Sequence, residues 1–175
     1  MVARLPSANV QLQVNDLYGG VVGTVLASVM LAAVPDGQTP MYAAAWIVVS
    51  VAIAAVTRSY GQHVSTHQAG SRSGFWVDLG RTMLTGIPLV IACVPTLIVL
   101  LLAHVTGWSD DVFHADGSVT PGYTTVALGL NAVVLFGWGV VAARVGGYSR
   151  WGACGVGIVN TTIGLVIVVL NGILR

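Results

Sequence analysis

Residues 41–67 read MYAAAWIVVSVAIAAVTRSYGQHVSTH. No charge occurs from Met41 to Thr57, and Arg58 closes the run. A transmembrane helix needs about 20 mostly apolar residues, with a lower limit of about 17. The stretch is thus just long enough to cross a bilayer. It then passes directly into its most polar neighbourhood: Arg58, Tyr60, Gln62, His63, Ser65, His67 and Gln68. A short apolar core is acceptable if the helix continues into water through Arg58 to His67.

Four more windows have the same character. They run from about Leu17 to Val34, Met83 to Val105, Tyr123 to Ala143 and Trp151 to Leu174. The expected fold is therefore all-α, a polytopic bundle of about five transmembrane helices in one domain, residues 1–175. Composition agrees. Apolar residues make up 55% of the chain and charged residues 7%, against about 25% charged in soluble domains. All seven bases are Arg and all six acids are Asp. A net charge of +1 lacks the basic footprint of a nucleic-acid binder. With Arg4 its only base and Asp16 near the apolar start, the first span fits a cleaved secretory signal poorly.

The arginines orient the chain. Arg4 precedes the first span. Arg58, Arg72 and Arg81 lie between the second and third, and Arg144 and Arg150 between the fourth and fifth. With five crossings these segments share a side, and only Arg175 falls opposite. Positively charged loops stay inside, which gives the N-terminus in, the C-terminus out, a cytoplasmic segment 58–82 and an outer loop 106–122. The expected location is the cell membrane, multi-pass. Tyr18, Tyr42, Trp76, Trp108, Tyr123, Tyr148 and Trp151 stand near span ends, where amphipathic rings anchor. The loop 70–78 reads as flexible, with a short interfacial turn at Phe75-Trp76, and the outer loop carries Asp-Gly and Pro-Gly turn signals.

Helices in lipid associate through small residues and interhelical hydrogen bonds. Gly19, Gly23 and Ala27 form one small stripe on the first span. Gly157, Asn160, Gly164 and Asn171 form another on the fifth. On the fourth, Thr125, Gly129, Ala132, Gly139 and Ala143 are expected near one face. Pro88 and Pro95 interrupt the third span. Each removes a backbone donor and disturbs the carbonyl four residues earlier, so a bend is expected. Cys93 and Cys154 lie within apolar runs and read as small packing residues.

The function classes open to this chain are few. None of the signatures of a nucleophile elbow, a P-loop, a dinucleotide fingerprint or HExxH is present, so no enzyme activity and no cofactor are expected. No acid lies within an apolar core, which disfavours carboxylate-driven ion transport. Asn131 and Asn160 are the clearest polar side chains at mid-span; they serve either as interhelical glue or as the lining of a solvated path. His63 and His67 stand one helical turn apart, a spacing that lets two imidazoles reach one metal, with Asp78 a conceivable third ligand. The same pair suits pH sensing. The leading expectation is a non-enzymatic accessory or interaction protein, in contact with lipid and with a membrane partner or a second copy. A small channel or transporter near Pro88, Pro95, Asn131 and Asn160 is the alternative.

Three segments carry a family likeness: Thr57-Arg58-Ser59-Tyr60, Leu135 to Arg144 (LFGWGVVAAR) and Val159 to Leu165 (VNTTIGL). Through them the chain loosely resembles a family of uncharacterised multi-span integral membrane proteins common in actinobacteria. The family pattern places a histidine just ahead of the tyrosine, where this chain has Arg58. The resemblance implies a multi-span architecture and brings no activity with it.

Overall fold

The computed structural model describes residues 8–35, 37–66 and 75–174, with side chains placed from Asp16 onward except at 66, 113, 168, 171, 172 and 174. The helices are α1 (Ala8–Ala32), α2 (Pro40–Thr66), α3 (Phe75–Met83), α4 (Ile87–Ile91), α5 (Val94–Thr106), α6 (Tyr123–Val145) and α7 (Arg150–Leu174). A 3-10 turn, Leu84–Gly86, joins α3 to α4. Between α5 and α6, β1 (Val112–Phe113) and β2 (Val119–Thr120) pair antiparallel.

α2 is continuous from its apolar run through the polar segment, as the short core requires. Its start is set by Pro40 at the first position, where a missing N–H costs nothing, and by Thr39, whose Oγ1 accepts from the Tyr42 N–H at 3.2 Å. The third predicted span differs more. It is not one helix from Met83 to Val105. Helix begins at Phe75, and each proline falls in the first turn of a new piece, Pro88 in α4 and Pro95 in α5. The combined pair Phe75–Ile91 and Val94–Thr106 is bent by 52°. Proline is tolerated in a first turn, where its N–H would be unused, so the chain restarts twice. The glycine-rich stretch before α3 lies mostly outside the described residues. Phe75-Trp76 opens a helix of nine residues where a single interfacial turn was expected.

Three helical segments are long and apolar enough to cross a membrane: Pro40–Ser65, Tyr123–Val145 and Arg150–Ile167. The bent pair makes a fourth if it counts as one span. Asp16–Ala32 of α1 is apolar but shorter. Large apolar side chains cover the outside of the bundle, among them Val49, Ile53, Val105, Val159 and Ile173.

α1 lies at the centre, packed on α2, α4 and α6, while α7 packs chiefly on α6. The small stripe on α1 allows this. A Cβ on Gly23 would run into the Leu89 carbonyl and the Ala92 methyl, and one on Gly19 would meet Pro88. Ala27 is fully buried. On α7, Gly157 fits against Phe136 and Val140, and Gly164 against Leu135 and Ala132. The expected stripe on α6 is only partly right. Gly139 and Ala143 are buried, but Gly129 is exposed with open space around it. At about 100° per residue, Gly129 points about 80° away from Gly139. Cys93 is buried as expected, whereas Cys154 is exposed on the outside of α7. The Asn171 side chain lies outside the described residues.

The two ends of the bundle are distinct. At one, the α1–α2 connection meets the start of α6, and the β hairpin's Asp116-Gly117 turn places Gly117 at φ +81°. Tyr123 donates from its hydroxyl to the Gln38 carbonyl across this end. Asp111 caps α6: its carboxylate accepts from the Gly122 and Thr125 N–H groups and from the Thr125 hydroxyl. A carboxylate is favourable at a helix N-terminus. The opposite end holds the C-terminal part of α2, α3 and the α6–α7 turn, with Arg58, Arg81, Arg144 and Arg150; it is called the arginine end below.

Candidate functional site at the arginine end

Two polar clusters stand out among the described residues, and they differ in how their hydrogen bonds are satisfied. The first is central. The Thr96 hydroxyl on α5 donates to Asn131 Oδ1 on α6 at 2.8 Å, and Asn131 Nδ2 donates to Ser28 Oγ on α1 at 3.0 Å. Ser28 in turn donates to the Thr24 carbonyl, and Thr24 to the Gly20 carbonyl. Because the Ser28 proton is committed to Thr24, its oxygen must accept, which fixes the amide orientation of Asn131. All four side chains are buried. This network pins α1, α5 and α6 together.

Asn160 does not join it. Its amide donates to the Leu135 carbonyl on α6 at 3.2 Å, a separate tie between α6 and α7. Pro88 sits against Gly19 of α1. The two asparagines thus go to different helix contacts, each with a partner of its own. Thr85 is likewise engaged, its hydroxyl 2.6 Å from the Thr82 carbonyl and 3.2 Å from Gln62 Oε1.

The second cluster is at the arginine end. Arg58 leaves α2 toward α1, where its guanidinium carbon lies 4.5 Å from the centroid of the Tyr18 ring. Arg58 Nη1 is buried and has no hydrogen-bond partner among the described residues. The next residue, Ser59, is fully buried, and its hydroxyl also lacks a partner among them. Ser59 faces the 3-10 turn, where a Cβ on Gly86 would lie 3.1 Å from its Oγ. The absence of a side chain at Gly86 is what lets this turn lie so close to α2.

One turn further on, His63 is 2% exposed. Its ring meets Phe75 edge to face, with centroids 4.6 Å apart, and Phe75 meets Trp76 in the same way. α3 is thus seated on the end of α2 through an aromatic pair that includes the histidine. Tyr60, three residues before His63, is 53% exposed; at i and i+3 the two point about 60° apart. His67 lies outside the described residues. Among those described, no group of three His, Cys, Asp or Glu side chains is placed to hold a metal ion.

Several participants were not singled out by sequence. Ser59 looked like any small polar residue. Tyr18 read as an interfacial anchor, and only the fold sets it under Arg58. Trp138 packs its indole over Gly20, with Nε1 buried and unpartnered among the described residues. The signal for that contact was Gly20 on α1, which by itself names no partner.

No family model, no curated protein and no solved structure matches this chain.

Proposed function

We propose that the protein is an integral protein of the cell membrane that crosses it five times, N-terminus in and C-terminus out, and works as a non-enzymatic accessory protein. Its contacts are with lipid and, at the arginine end, with a membrane partner or a second copy. In this reading α1 is a span despite its shorter apolar stretch, and the bent pair counts as one. An outside so rich in large apolar side chains supports it, since soluble monomers rarely expose apolar patches of more than a few hundred Å².

One observation carries the accessory reading over a solute path. The polar side chains at the middle of the bundle, Ser28, Thr96 and Asn131, are buried and spend their hydrogen bonds on each other. A solvated path needs polar groups that face water. Here the Arg58 and Ser59 donors, which lack a partner among the described residues, lie together at the arginine end instead. The test is a set of reporter fusions after α2, α5, α6 and α7, joined to photo-crosslinking from Tyr60 and Val64. Alternating reporters with partner adducts at these positions are expected. Non-alternating reporters overturn the topology, and a lack of any protein adduct overturns the accessory role.

A small channel or transporter is the second reading. The double restart of the third span at Pro88 and Pro95 favours it, because broken helices line pathways in many transporters. Liposomes holding the purified protein and passing no ion or proton between pH 5 and 8 would exclude it.

A further inference from the structure

We infer that Arg58 anchors a phosphate-binding site at the arginine end, and that its ligand is the phosphate of an anionic phospholipid headgroup. The inference rests on the five-span reading above. It begins with the geometry of the guanidinium. Arginine stays protonated under any ordinary condition and carries five N–H donors in one plane. The guanidinium carbon lies over the Tyr18 ring, 4.5 Å from its centroid, a contact that stabilises the charge without supplying an oxygen acceptor to its N–H groups. No ion pair to Arg58 exists among the described residues, and Nη1 is buried with no acceptor there. A charged donor in that state calls for an anion.

The neighbouring residue reinforces the point. Ser59 is fully buried and its hydroxyl has no partner among the described residues. Consecutive residues of one helix therefore both present unmet hydrogen-bonding capacity where α1, α2 and the Leu84–Gly86 turn meet. Buried polar groups in folded proteins are nearly always satisfied, and the exceptions point to an unseen water, ion or ligand.

Depth selects the class of anion. Arg58 is eighteen residues beyond Pro40 on a continuous helix, or about 27 Å at 1.5 Å per residue. The hydrocarbon core of a bilayer is about 30 Å thick. If Pro40 marks one boundary, Arg58 stands at the other, among the headgroup phosphates. Arginine's planar fork matches phosphate oxygens two at a time. Inorganic phosphate would offer the same oxygens from solution, so the two sources need separating.

The experiment uses the full chain purified in neutral detergent. Native mass spectrometry would measure retention of phosphatidylglycerol against phosphatidylcholine. The expected result is preferential retention of phosphatidylglycerol by the unaltered protein. Arg58→Gln should weaken it about tenfold, equivalent to 1.4 kcal/mol. Arg58→Lys, which keeps the charge and loses the fork, should fall between. Arg150→Gln, at the same end but on α7 and outside the Arg58–Tyr18 contact, should retain the lipid fully. Equal losses in Arg58→Gln and Arg150→Gln would overturn the site in favour of diffuse charge. Equal retention of the two lipids, with no effect of inorganic phosphate, would overturn it altogether. Binding of inorganic phosphate that depends on Arg58, without a lipid preference, would keep the site and move its ligand to solution. A chain that fractionates as soluble protein would instead overturn the five-span reading, a result distinct from a membrane protein that shows no Arg58-dependent retention.

Discussion

The two polar clusters use similar side chains to opposite ends. At the centre, Thr96, Asn131 and Ser28 come from three helices and close a chain of hydrogen bonds. At the arginine end, Arg58 and Ser59 come from one helix and leave donors unmet among the described residues. A closed network holds helices in register and offers nothing to a ligand. An open one contributes little to folding and leaves capacity for binding. The energetics of substitution should differ accordingly, and each experiment below can sharpen or break the contrast.

The largest effect is expected where the central network depends on close packing. Gly23→Leu would drive a side chain into the Leu89 carbonyl and Ala92, separating α1 from α4. Overpacking of this kind costs about 1–3 kcal/mol or more. Thermal unfolding in detergent should show a large fall in midpoint or no folded protein at all. An unchanged midpoint would mean that α1 does not sit flush on α4.

Next comes Asn131→Leu. It leaves the Thr96 hydroxyl without its acceptor and the Ser28 oxygen without its donor, and orphaning buried groups costs about 1–3 kcal/mol. Measured interhelical hydrogen bonds in membranes average nearer to about 0.6 kcal/mol, so the lower part of that range is expected. A double-mutant cycle with Ser28→Ala should give a non-zero coupling. Strict additivity would show that the network does not act as a unit.

Ser59→Ala is the matching change at the other cluster. Its hydroxyl has no partner to lose among the described residues, so stability should stay within about 0.5 kcal/mol or rise slightly, since a buried polar group without a partner is itself unfavourable. Denaturation of Ser59→Ala beside Asn131→Leu makes the comparison direct. A loss at Ser59 as great as at Asn131 would break the distinction between closed and open clusters.

The smallest effect lies in the exposed hairpin, away from both clusters. There Asp116 accepts from the Ser118 hydroxyl and N–H, and these bonds hold its carboxyl below the usual carboxylate range. A depressed folded-state pKa contributes stability above the usual carboxylate range and loses it as pH falls through the lowered value. Ser118→Ala should move the Asp116 titration, followed by NMR, back up toward the ordinary range. The bundle's unfolding midpoint should not move.

Much of the helical fold was legible because apolar length is a local fact. The windows around α2, α6 and α7 appear as helices near their expected ranges. The continuation of α2 past Arg58 followed from the shortness of its apolar run. The third span was harder. A hydropathy window sees Met83 to Val105 as continuous, but the backbone restarts at Pro88 and Pro95 and extends back to Phe75. Gly129 was misplaced because a small residue signals a contact only if a neighbour covers it. The site was half legible. Arg58 and His63 stood out as polar residues after an apolar run, yet the Tyr18 contact joins positions forty residues apart in the chain.

The sequence by itself determined that the chain is helical, where its apolar segments lie, and that its arginines other than Arg175 gather in the N-terminal segment and beside two connections. These follow from side-chain chemistry along a line. Only the tertiary structure decided that Asn131 is spent on Thr96 and Ser28 while Arg58 and Ser59 are left open among the described residues. Whether a polar group is satisfied depends on which helix faces it, and that is set by packing among distant segments.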